Sequence, residues 1–222
     1  MLVIFDLDGT LLNTIDDLAS AANAALSACN LPTRSVEQCR QFVGNGVSKL
    51  LERALPKVEH DPALLSRMHE AFFTYYDAHL ADRTCPYVGI GDLLQALQMR
   101  KIKMAVASNK YQRATQWLVE HFFPSIHFSA VLGQRDNIPV KPHPQIVQDI
   151  LATAQENPAF CVYVGDSDVD MQTARNAGVK ACAVTWGFRT RELLRTYEPA
   201  YLIDRPADLL MLPEIKNYNS GT

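Results

Sequence analysis

The sequence lacks the features that mark several common classes of protein. Its 222 residues include no apolar run near the ~20 residues that a membrane-spanning helix needs. The formal net charge is -3, without a long run of one sign. That balance argues against a nucleic-acid partner, because such proteins usually carry a basic patch. The first residues, MLVIFD, contain no basic segment, so they predict a strand rather than a secretory signal.

The cysteines give no sign of a disulfide framework. There are five, an odd number, and no two of them form a Cys-x-x-Cys pair. Cys161 and Cys182 lie in apolar runs that we predict to be buried strands. Scattered thiols of this kind are typical of a reducing compartment, so we expect a cytoplasmic protein.

Short apolar runs alternate with helical patterns along most of the chain. In each run the apolar residues are consecutive, as in parallel strands that are buried on both faces. The runs cover residues 2–5, 103–107, 160–164 and 179–185. The helical patterns cover residues 91–99, 112–121, 144–153 and 169–177, with Asp168 as an expected N-cap and Gly178 as an expected stop. The alternation predicts an α/β fold with a doubly wound, mainly parallel sheet.

The segment from about residue 14 to residue 81 interrupts this alternation. It contains about four helical patterns, and Thr14–Asp17 and Ser35–Gln38 have the spacing of capping boxes. We therefore predict an α/β core made of residues 1–14 and 82–222, with an all-helical cap domain, residues 15–81, inserted after the first strand. Folds tolerate such insertions well where the ends of an exposed loop lie close together.

Polar residues follow the apolar runs where parallel strands would end. Open parallel sheets place their functional sites at the carboxyl ends of the strands, so these side chains should meet at one edge. They are Asp6, Asp8 and Gly9 after the first run, Ser108 and Asn109 after the second, and Asp166 and Asp170 after the third, with Lys141 before a helix.

This combination indicates metal-assisted phosphoryl transfer. Crowded carboxylates raise one another's pKa, and a hard cation such as Mg²⁺ relieves the repulsion. A carboxylate can attack phosphorus and form an aspartyl phosphate, while a lysine, a hydroxyl and loop amides bind the phosphoryl oxygens. Taken alone, each residue has an ordinary structural explanation: an acid or hydroxyl can form a turn or cap a helix, and a lysine can be a solvated surface residue. Their joint occurrence at strand ends, in this order, is the specific signal.

The motifs resemble those of the haloacid dehalogenase superfamily of phosphohydrolases over nearly the whole chain. They stand here as Asp6-Leu-Asp-Gly-Thr-Leu-Leu12, Ser108, Lys141-Pro142 and Gly165-Asp-Ser-Asp-Val-Asp170. The helical insertion resembles the cap of that superfamily, and Val43-Gly-Asn-Gly-Val47 is similar to the glycine-rich cap loop of its phosphoglycolate phosphatase-like branch. Ser108-Asn-Lys110 and Pro86-Tyr-Val-Gly-Ile90 also fit this branch, which often has proline where Val88 stands.

The resemblance implies a role for each acid. Asp6 would be the nucleophile, and Asp8 would protonate the leaving oxygen and then activate water. Mg²⁺ would be held by the carboxylates of Asp6 and Asp166 and by the backbone carbonyl of Asp8. Asp170 would either bind the ion or support its ligands.

The other motif residues would bind the substrate. Ser108 and Lys141 would hold the transferring phosphoryl oxygens, and Asn109 would contact phosphate or orient Asp8. The expected substrate-binding residues are Gly9, Asn109, Gly44, Asn45 and Gly46. Both cap-loop glycines have an alternative role, which is to shape a turn between helices.

The expected function is hydrolysis of a small phosphorylated metabolite, with 2-phosphoglycolate as the best single candidate. A phosphomutase acting on phosphosugars, a pyrophosphate or nucleotide phosphohydrolase, and a non-catalytic binding protein remain alternatives. A true dehalogenase would not need the second acid, Asp8. The partner would be a small-molecule phosphate ester, with no nucleic acid or membrane, and the protein would be a monomer or a homodimer.

Overall fold

A computed structural model describes residues 1–56 and 61–218. Residues 57–60 of the predicted cap and residues 219–222 of the predicted core therefore lie outside the described part. In chain order the strands are β1 (Leu2–Phe5), β2 (Leu12–Asn13), β3 (Cys85–Pro86), β4 (Lys103–Tyr111), β5 (Ala130–Gln134), β6 (Cys161–Gly165), β7 (Lys180–Val184) and β8 (Tyr201–Ile203). The helices are α1 (Ile15–Ala28), α2 (Val36–Phe42), α3 (Gly46–Ala54), α4 (Pro62–Ala78), α5 (Ile90–Met99), α6 (Gln112–Phe122), α7 (Gln145–Ala154), α8 (Asp168–Ala177), α9 (Arg191–Arg195) and α10 (Pro213–Lys216).

Six of the strands form one parallel sheet in the order β5-β4-β1-β6-β7-β8. Successive residues of β1 face opposite sides. Val3 and Phe5 pack in the cluster that contains α5 and α6, whereas Leu2 and Ile4 pack in the cluster that contains α7 and α8. The sheet is thus covered on both faces, which explains the uninterrupted apolar runs. The predicted doubly wound α/β fold is confirmed. The short strands β5 and β8 were not predicted.

The register of the sheet aligns the strand ends that carry polar residues. Phe5, the last residue of β1, pairs with Val106 of β4 and with Val164 of β6. The backbone N–H of Asp6 continues this ladder by donating to the carbonyl of Val164 at 2.9 Å. The residues that follow β1 and β6 therefore emerge side by side.

Helices α1 to α4 stand apart from the sheet and form their own apolar cluster. Ile15, Leu26, Leu51, Phe72 and Tyr76 belong to it, and all are at most 1% exposed. The strands β2 and β3, which flank these helices in the chain, pair with each other in antiparallel fashion. This ribbon brings the two ends of the helical segment together, so we keep residues 15–81 as the proposed extent of the cap.

Two of the predicted helix starts differ in the structure. Thr14 does not cap α1, because its hydroxyl donates to Asp8 Oδ1 at 2.7 Å instead. Helix α8 is capped by Ser167 rather than Asp168, because Ser167 and Asp170 form a reciprocal capping box. The capping box at Ser35–Gln38 and the left-handed stop at Gly178 are confirmed. Within the described residues, no helix combines the length and the apolar character needed to cross a bilayer.

Asp17 connects the first cap helix to the segment that returns to the sheet. Its carboxylate is 3% exposed and accepts hydrogen bonds from the backbone N–H groups of Arg83 and Thr84 and from the Thr84 hydroxyl, at 2.7–3.1 Å. This contact explains why Asp17 takes no part in the capping box predicted at Thr14. The carboxylate instead satisfies buried donors at the junction of the two units.

We expect Asp17→Ala to lower the free energy of unfolding by about 2–3 kcal/mol, because it leaves buried N–H groups without an acceptor. Chemical denaturation followed by circular dichroism measures this loss. The neighbouring variant Asp16→Ala is the control and should change stability by less than about 0.5 kcal/mol. An equally small change for Asp17→Ala would contradict the assigned role.

Candidate active site

The side chains that follow the strands meet at one buried edge of the sheet. Asp6 is 8% exposed, Ser108 2%, Lys141 2% and Asp166 1%. Asp6 and Asp166 directly follow β1 and β6. Ser108 lies among the last four residues of β4, which continues past the predicted run 103–107 to Tyr111. Lys141 belongs to the loop before α7, and its ammonium reaches the same edge. The structure thus brings together all four predicted motifs.

The Lys141 ammonium lies between two carboxylates. Its Nζ is 2.9 Å from Asp6 Oδ1 and 2.8 Å from Asp170 Oδ1. It also donates to the carbonyl of Ala107 and to the Tyr163 hydroxyl, both at 3.0 Å. Burial opposes its charge, but the Asp170 and Asp6 carboxylates outweigh this and raise the pKa of Lys141 well above its usual range. The lysine is therefore a permanent cation.

The acids at this edge are crowded. Asp6, Asp166 and Asp170 each place a carboxylate oxygen within 4.8 Å of the other two. Burial and the Asp170 charge raise the pKa of Asp6 well above its usual range, although Lys141 acts in the opposite direction. Burial and the Asp170 charge also raise the pKa of Asp166 to about 7. One lysine cannot neutralise three carboxylates, and the two remaining negative charges fit a divalent cation.

The three acids differ in how many of their oxygens are already used. Both Asp170 oxygens have partners: Lys141 and Tyr163 contact Oδ1, and the Ser167 N–H and hydroxyl donate to Oδ2. This saturation favours a supporting role for Asp170 over direct binding of a metal. Asp6 Oδ1 accepts from the Leu7 N–H at 2.7 Å, and within residues 1–56 and 61–218 no group donates to Asp6 Oδ2.

Asp166 is oriented by residues from two other loops. The Phe188 N–H donates to its Oδ2 at 2.6 Å, and the Thr10 hydroxyl donates to its Oδ1 at 3.2 Å. Gly9 has a φ of +86°, and a Cβ at this position would collide with the Asp166 carboxylate. The glycine is thus required for the close approach of the loop after β1 to this acid. Its predicted contact with phosphate stays a prediction.

A cavity opens directly over these acids, and the helical cap forms its other wall. The core residues that line it include Asp6, Asp8, Ser108, Lys141 and Asp166, and the cap contributes Leu18, Val43, Gly44, Gly46, Val47, Leu50 and Tyr76. Of the predicted cap-loop residues, Gly44 and Gly46 line the cavity. The Asn45 side chain does not line it, because its carbonyl oxygen accepts from Arg53 at 2.8 Å.

Asn109 joins the cap loop to the loop that carries Lys141. Its amide nitrogen donates to the carbonyls of Gly44 and Lys141, both at 3.0 Å, and its oxygen accepts from the Lys141 N–H at 2.8 Å. Asn109 lines the cavity, but these bonds hold it against backbone rather than against Asp8. The structure therefore favours a role in placing Lys141.

The cavity is also lined by three residues for which the sequence predicted no role, Lys110, Phe188 and Arg189. Arg189 donates to the carbonyls of Arg40 and Val43 at 2.8 and 2.5 Å, which joins the loop after β7 to the cap. Phe188 and Arg189 follow the apolar run 179–185, just as Asp6 and Asp166 follow theirs, so their position after a strand was a usable signal. The contacts of Arg189 with the cap have no comparable signal in the sequence.

Comparison with known proteins decides the family. A model of the family described as haloacid dehalogenase-like hydrolase matches residues 3–184. The chain belongs to the haloacid dehalogenase-like hydrolases. It is 33% identical over 218 residues to phosphoglycolate phosphatase 1 of Pseudomonas aeruginosa, a match that covers 94% of this chain and 78% of the relative. It is 36% identical over 190 residues to a phosphoglycolate phosphatase of Chromobacterium violaceum, with 84% and 85% covered.

Comparison with solved structures supports the same assignment. The crystal structure of a predicted phosphoglycolate phosphatase from Haemophilus somnus superposes with a TM-score of 0.88 at 29% identity, and the match covers 95% of this chain and 96% of the other. This haloacid dehalogenase-like hydrolase is therefore a phosphatase of the phosphoglycolate phosphatase-like branch. The family and branch predicted from the motifs are confirmed.

The raised pKa of Asp166 predicts how the stability of this phosphatase depends on pH without metal. The folded pKa of about 7 exceeds the ordinary value of 3.8. The folded protein thus binds the Asp166 proton more tightly than the unfolded chain does. The free energy of unfolding therefore falls as the pH rises from the ordinary pKa of 3.8 to the folded pKa of about 7. We expect metal-free Asp166→Asn to be more stable than the wild type near pH 8 by at least about 1 kcal/mol, since one pKa unit corresponds to about 1.4 kcal/mol.

Thermal unfolding in a chelator, with and without added Mg²⁺, measures this difference. Mg²⁺ should stabilise the wild type and should have little effect on Asp166→Asn. Asp92→Asn, a change at an exposed acid of α5, is the control and should behave like the wild type. A metal-free Asp166→Asn protein less stable than the wild type near pH 8 would contradict the electrostatic account.

Proposed function

We propose that the protein is a Mg²⁺-dependent phosphatase that hydrolyses 2-phosphoglycolate, or a phosphate ester of similar size, through an aspartyl phosphate on Asp6. The proposal rests on how the two oxygens of the Asp6 carboxylate are held. One of its oxygens is fixed by the Leu7 N–H and Lys141, and the other accepts no hydrogen bond from the described residues. An oriented carboxylate with one free oxygen beside a cavity is suited to attack phosphorus.

The carboxylates of Asp6 and Asp166 and the backbone carbonyl of Asp8 would hold Mg²⁺. Lys141 neutralises only one of the three carboxylates in the acid cluster, and the remaining negative charge supports this assignment. When bound, the ion would neutralise charge on the phosphoryl oxygens. Asp170, whose oxygens are occupied, would keep Lys141 in place rather than bind the ion.

The protein's own residues account for both chemical steps. Asp6 bonds to phosphorus as the ester bond breaks, and Asp8 gives its proton to the leaving oxygen, so the alcohol departs neutral. Asp8 then takes a proton from a water molecule as that water attacks phosphorus, which releases phosphate and restores Asp6. Ser108 Oγ accepts from the Lys110 N–H at 3.2 Å, and its own proton is therefore available to a phosphoryl oxygen.

The size of the cavity supports a small substrate. Its volume is about 50 Å³, which is room for about three to five water molecules at 10–15 Å³ each. A phosphoryl group with a leaving group of two or three carbons suits this space better than a phosphosugar or a nucleotide. The named activity of the Pseudomonas aeruginosa and Chromobacterium violaceum relatives also supports 2-phosphoglycolate. The cytoplasmic location and the monomeric or homodimeric state stay predictions.

Replacing the nucleophile tests the chemistry. We expect Asp6→Asn to lose at least about 10³-fold in kcat, because an amide cannot form the covalent intermediate. Released phosphate gives the rate, and binding of orthovanadate in the presence of Mg²⁺ shows that the pocket is still formed. Asp92→Asn should keep the wild-type rate. An Asp6→Asn enzyme with most of its activity would rule out the nucleophile assignment.

A substrate panel with Mg²⁺ tests the specificity. It compares 2-phosphoglycolate, a hexose phosphate, a nucleoside monophosphate and pyrophosphate. The small cavity predicts the highest kcat/KM for 2-phosphoglycolate, by at least about 10². Phosphate and alcohol should appear in equal amounts, whereas a mutase would release almost no phosphate. A preference for the hexose phosphate or the nucleotide would contradict the proposed substrate.

A further inference from the structure

A second buried lysine lies beside Asp8. Lys110 Nζ is 3.2 Å from Asp8 Oδ1, and its side chain is 3% exposed against 14% for Asp8. The same Asp8 oxygen accepts from the Thr14 hydroxyl at 2.7 Å. Within residues 1–56 and 61–218, Asp8 is the only acid that pairs with Lys110, whereas Lys141 serves Asp6 and Asp170. The two lysines thus have separate carboxylate partners.

The Lys110 ammonium is held from the other side by a cap residue. It donates to the Tyr76 hydroxyl at 2.7 Å. Tyr76 belongs to α4, is fully buried and packs against the rings of Phe72 and Tyr111. Burial raises the pKa of Tyr76 well above its usual range, as do the charges of Asp8 and Asp17. The hydroxyl therefore stays neutral and can accept a hydrogen bond from the ammonium.

Burying a lysine is costly unless fixed partners compensate for the lost water. Here the partners are the Asp8 carboxylate and the Tyr76 hydroxyl, so the ammonium has little freedom to move. Its position in turn fixes Asp8, because Thr14 and Lys110 both contact Oδ1. The second oxygen, Oδ2, accepts no hydrogen bond from the described residues and is left for the substrate and water.

We propose that Lys110 is a positioning residue for Asp8, and that Tyr76 keeps Lys110 in place. This inference rests on the proposed acid and base role of Asp8. Lys110 orients the Asp8 carboxyl group so that Oδ2, when it carries the proton, delivers it to the leaving oxygen. Tyr76 comes from the helical cap, whereas Asp8 and Lys110 come from the sheet edge. The cap thus contributes to the geometry of the acid as well as to the wall of the cavity.

Three small substrates distinguish positioning of Asp8 from substrate binding and from a purely structural role. The alkoxide leaving groups of 2-phosphoglycolate and 2-hydroxyethyl phosphate need a proton from Asp8. Acetyl phosphate, which is of similar size, releases acetate and needs no proton when the phosphoryl group passes to Asp6. The later attack of water, in which Asp8 acts as the base, is common to all three substrates, so the comparison uses kcat/KM, which reports the first step. For Lys110→Met we expect kcat/KM to fall about 10–100-fold with both alkyl phosphates and less than about 3-fold with acetyl phosphate. This is less than the full contribution of a general acid, because Asp8 is still present. The loss should appear mainly in kcat.

Tyr76→Phe tests the second contact with the loss of a single hydroxyl. We expect kcat/KM to fall about 3–10-fold with the two alkyl phosphates, and to change less with acetyl phosphate. Tyr75→Phe, at the adjacent position of the same helix, is the matched control and should leave all three rates unchanged. Circular dichroism and thermal unfolding check that the variants are folded. If Lys110→Met does not fold, Tyr76→Phe still decides the proposal.

Asp8→Asn separates failure of this inference from failure of the proposed function. Its kcat/KM should fall about 10²–10⁴-fold with the alkyl phosphates and much less with acetyl phosphate. Its kcat should fall with all three substrates, because each needs Asp8 as the base in the second step. If Asp8→Asn shows no such selectivity, Asp8 is not the acid and the proposed function is wrong. If Asp8→Asn is selective but Lys110→Met lowers kcat/KM equally for all three substrates, or for none, positioning by Lys110 is overturned. A loss with 2-phosphoglycolate alone would show that Lys110 binds the substrate carboxylate, which also overturns it.

Discussion

The ammonium of Lys141 lies 2.9 Å from Asp6 and 2.8 Å from Asp170, and the arrangement of the active site depends on this buried ion pair. Without a cation between them, these carboxylates and Asp166 would be buried close together as charges of one sign, and their hydrogen bonds alone would not offset the repulsion. The lysine compensates in part. The negative charge that it leaves is a cost to the metal-free fold, and a divalent ion at Asp6 and Asp166 would turn that cost into binding affinity.

The parallel sheet makes this arrangement possible with residues that are far apart in the sequence. Because β1 pairs in register with β4 and β6, Asp6 and Asp166 emerge at the same edge. Lys141 is not on a strand, and its backbone is held to the end of β4 by the Asn109 amide. The same amide donates to the cap loop at Gly44. One side chain therefore joins the charge-balancing lysine to the cover of the cavity.

The sequence predicted which side chains would meet, but not all of the contacts they make. Consecutive apolar residues marked the central strands, and the strand-end rule then located Asp6 and Asp166. The expected cap at Thr14 was wrong because Asp8, which is close only in the folded loop, competes for its hydroxyl. The contacts of Lys110 with Tyr76 and of Arg189 with the cap join segments that pack together only in the tertiary structure. Local spacing carries no signal for contacts of this kind.

A crystal structure of the wild-type protein with Mg²⁺ and beryllium trifluoride, a mimic of a phosphoryl group on a carboxylate, would test this arrangement directly. We expect beryllium bound to an Asp6 carboxylate oxygen, with one Mg²⁺ bound by the Asp6 and Asp166 carboxylates, and with Lys141 still between Asp6 and Asp170. Beryllium on Asp8, or an ion bound away from Asp166, would contradict it.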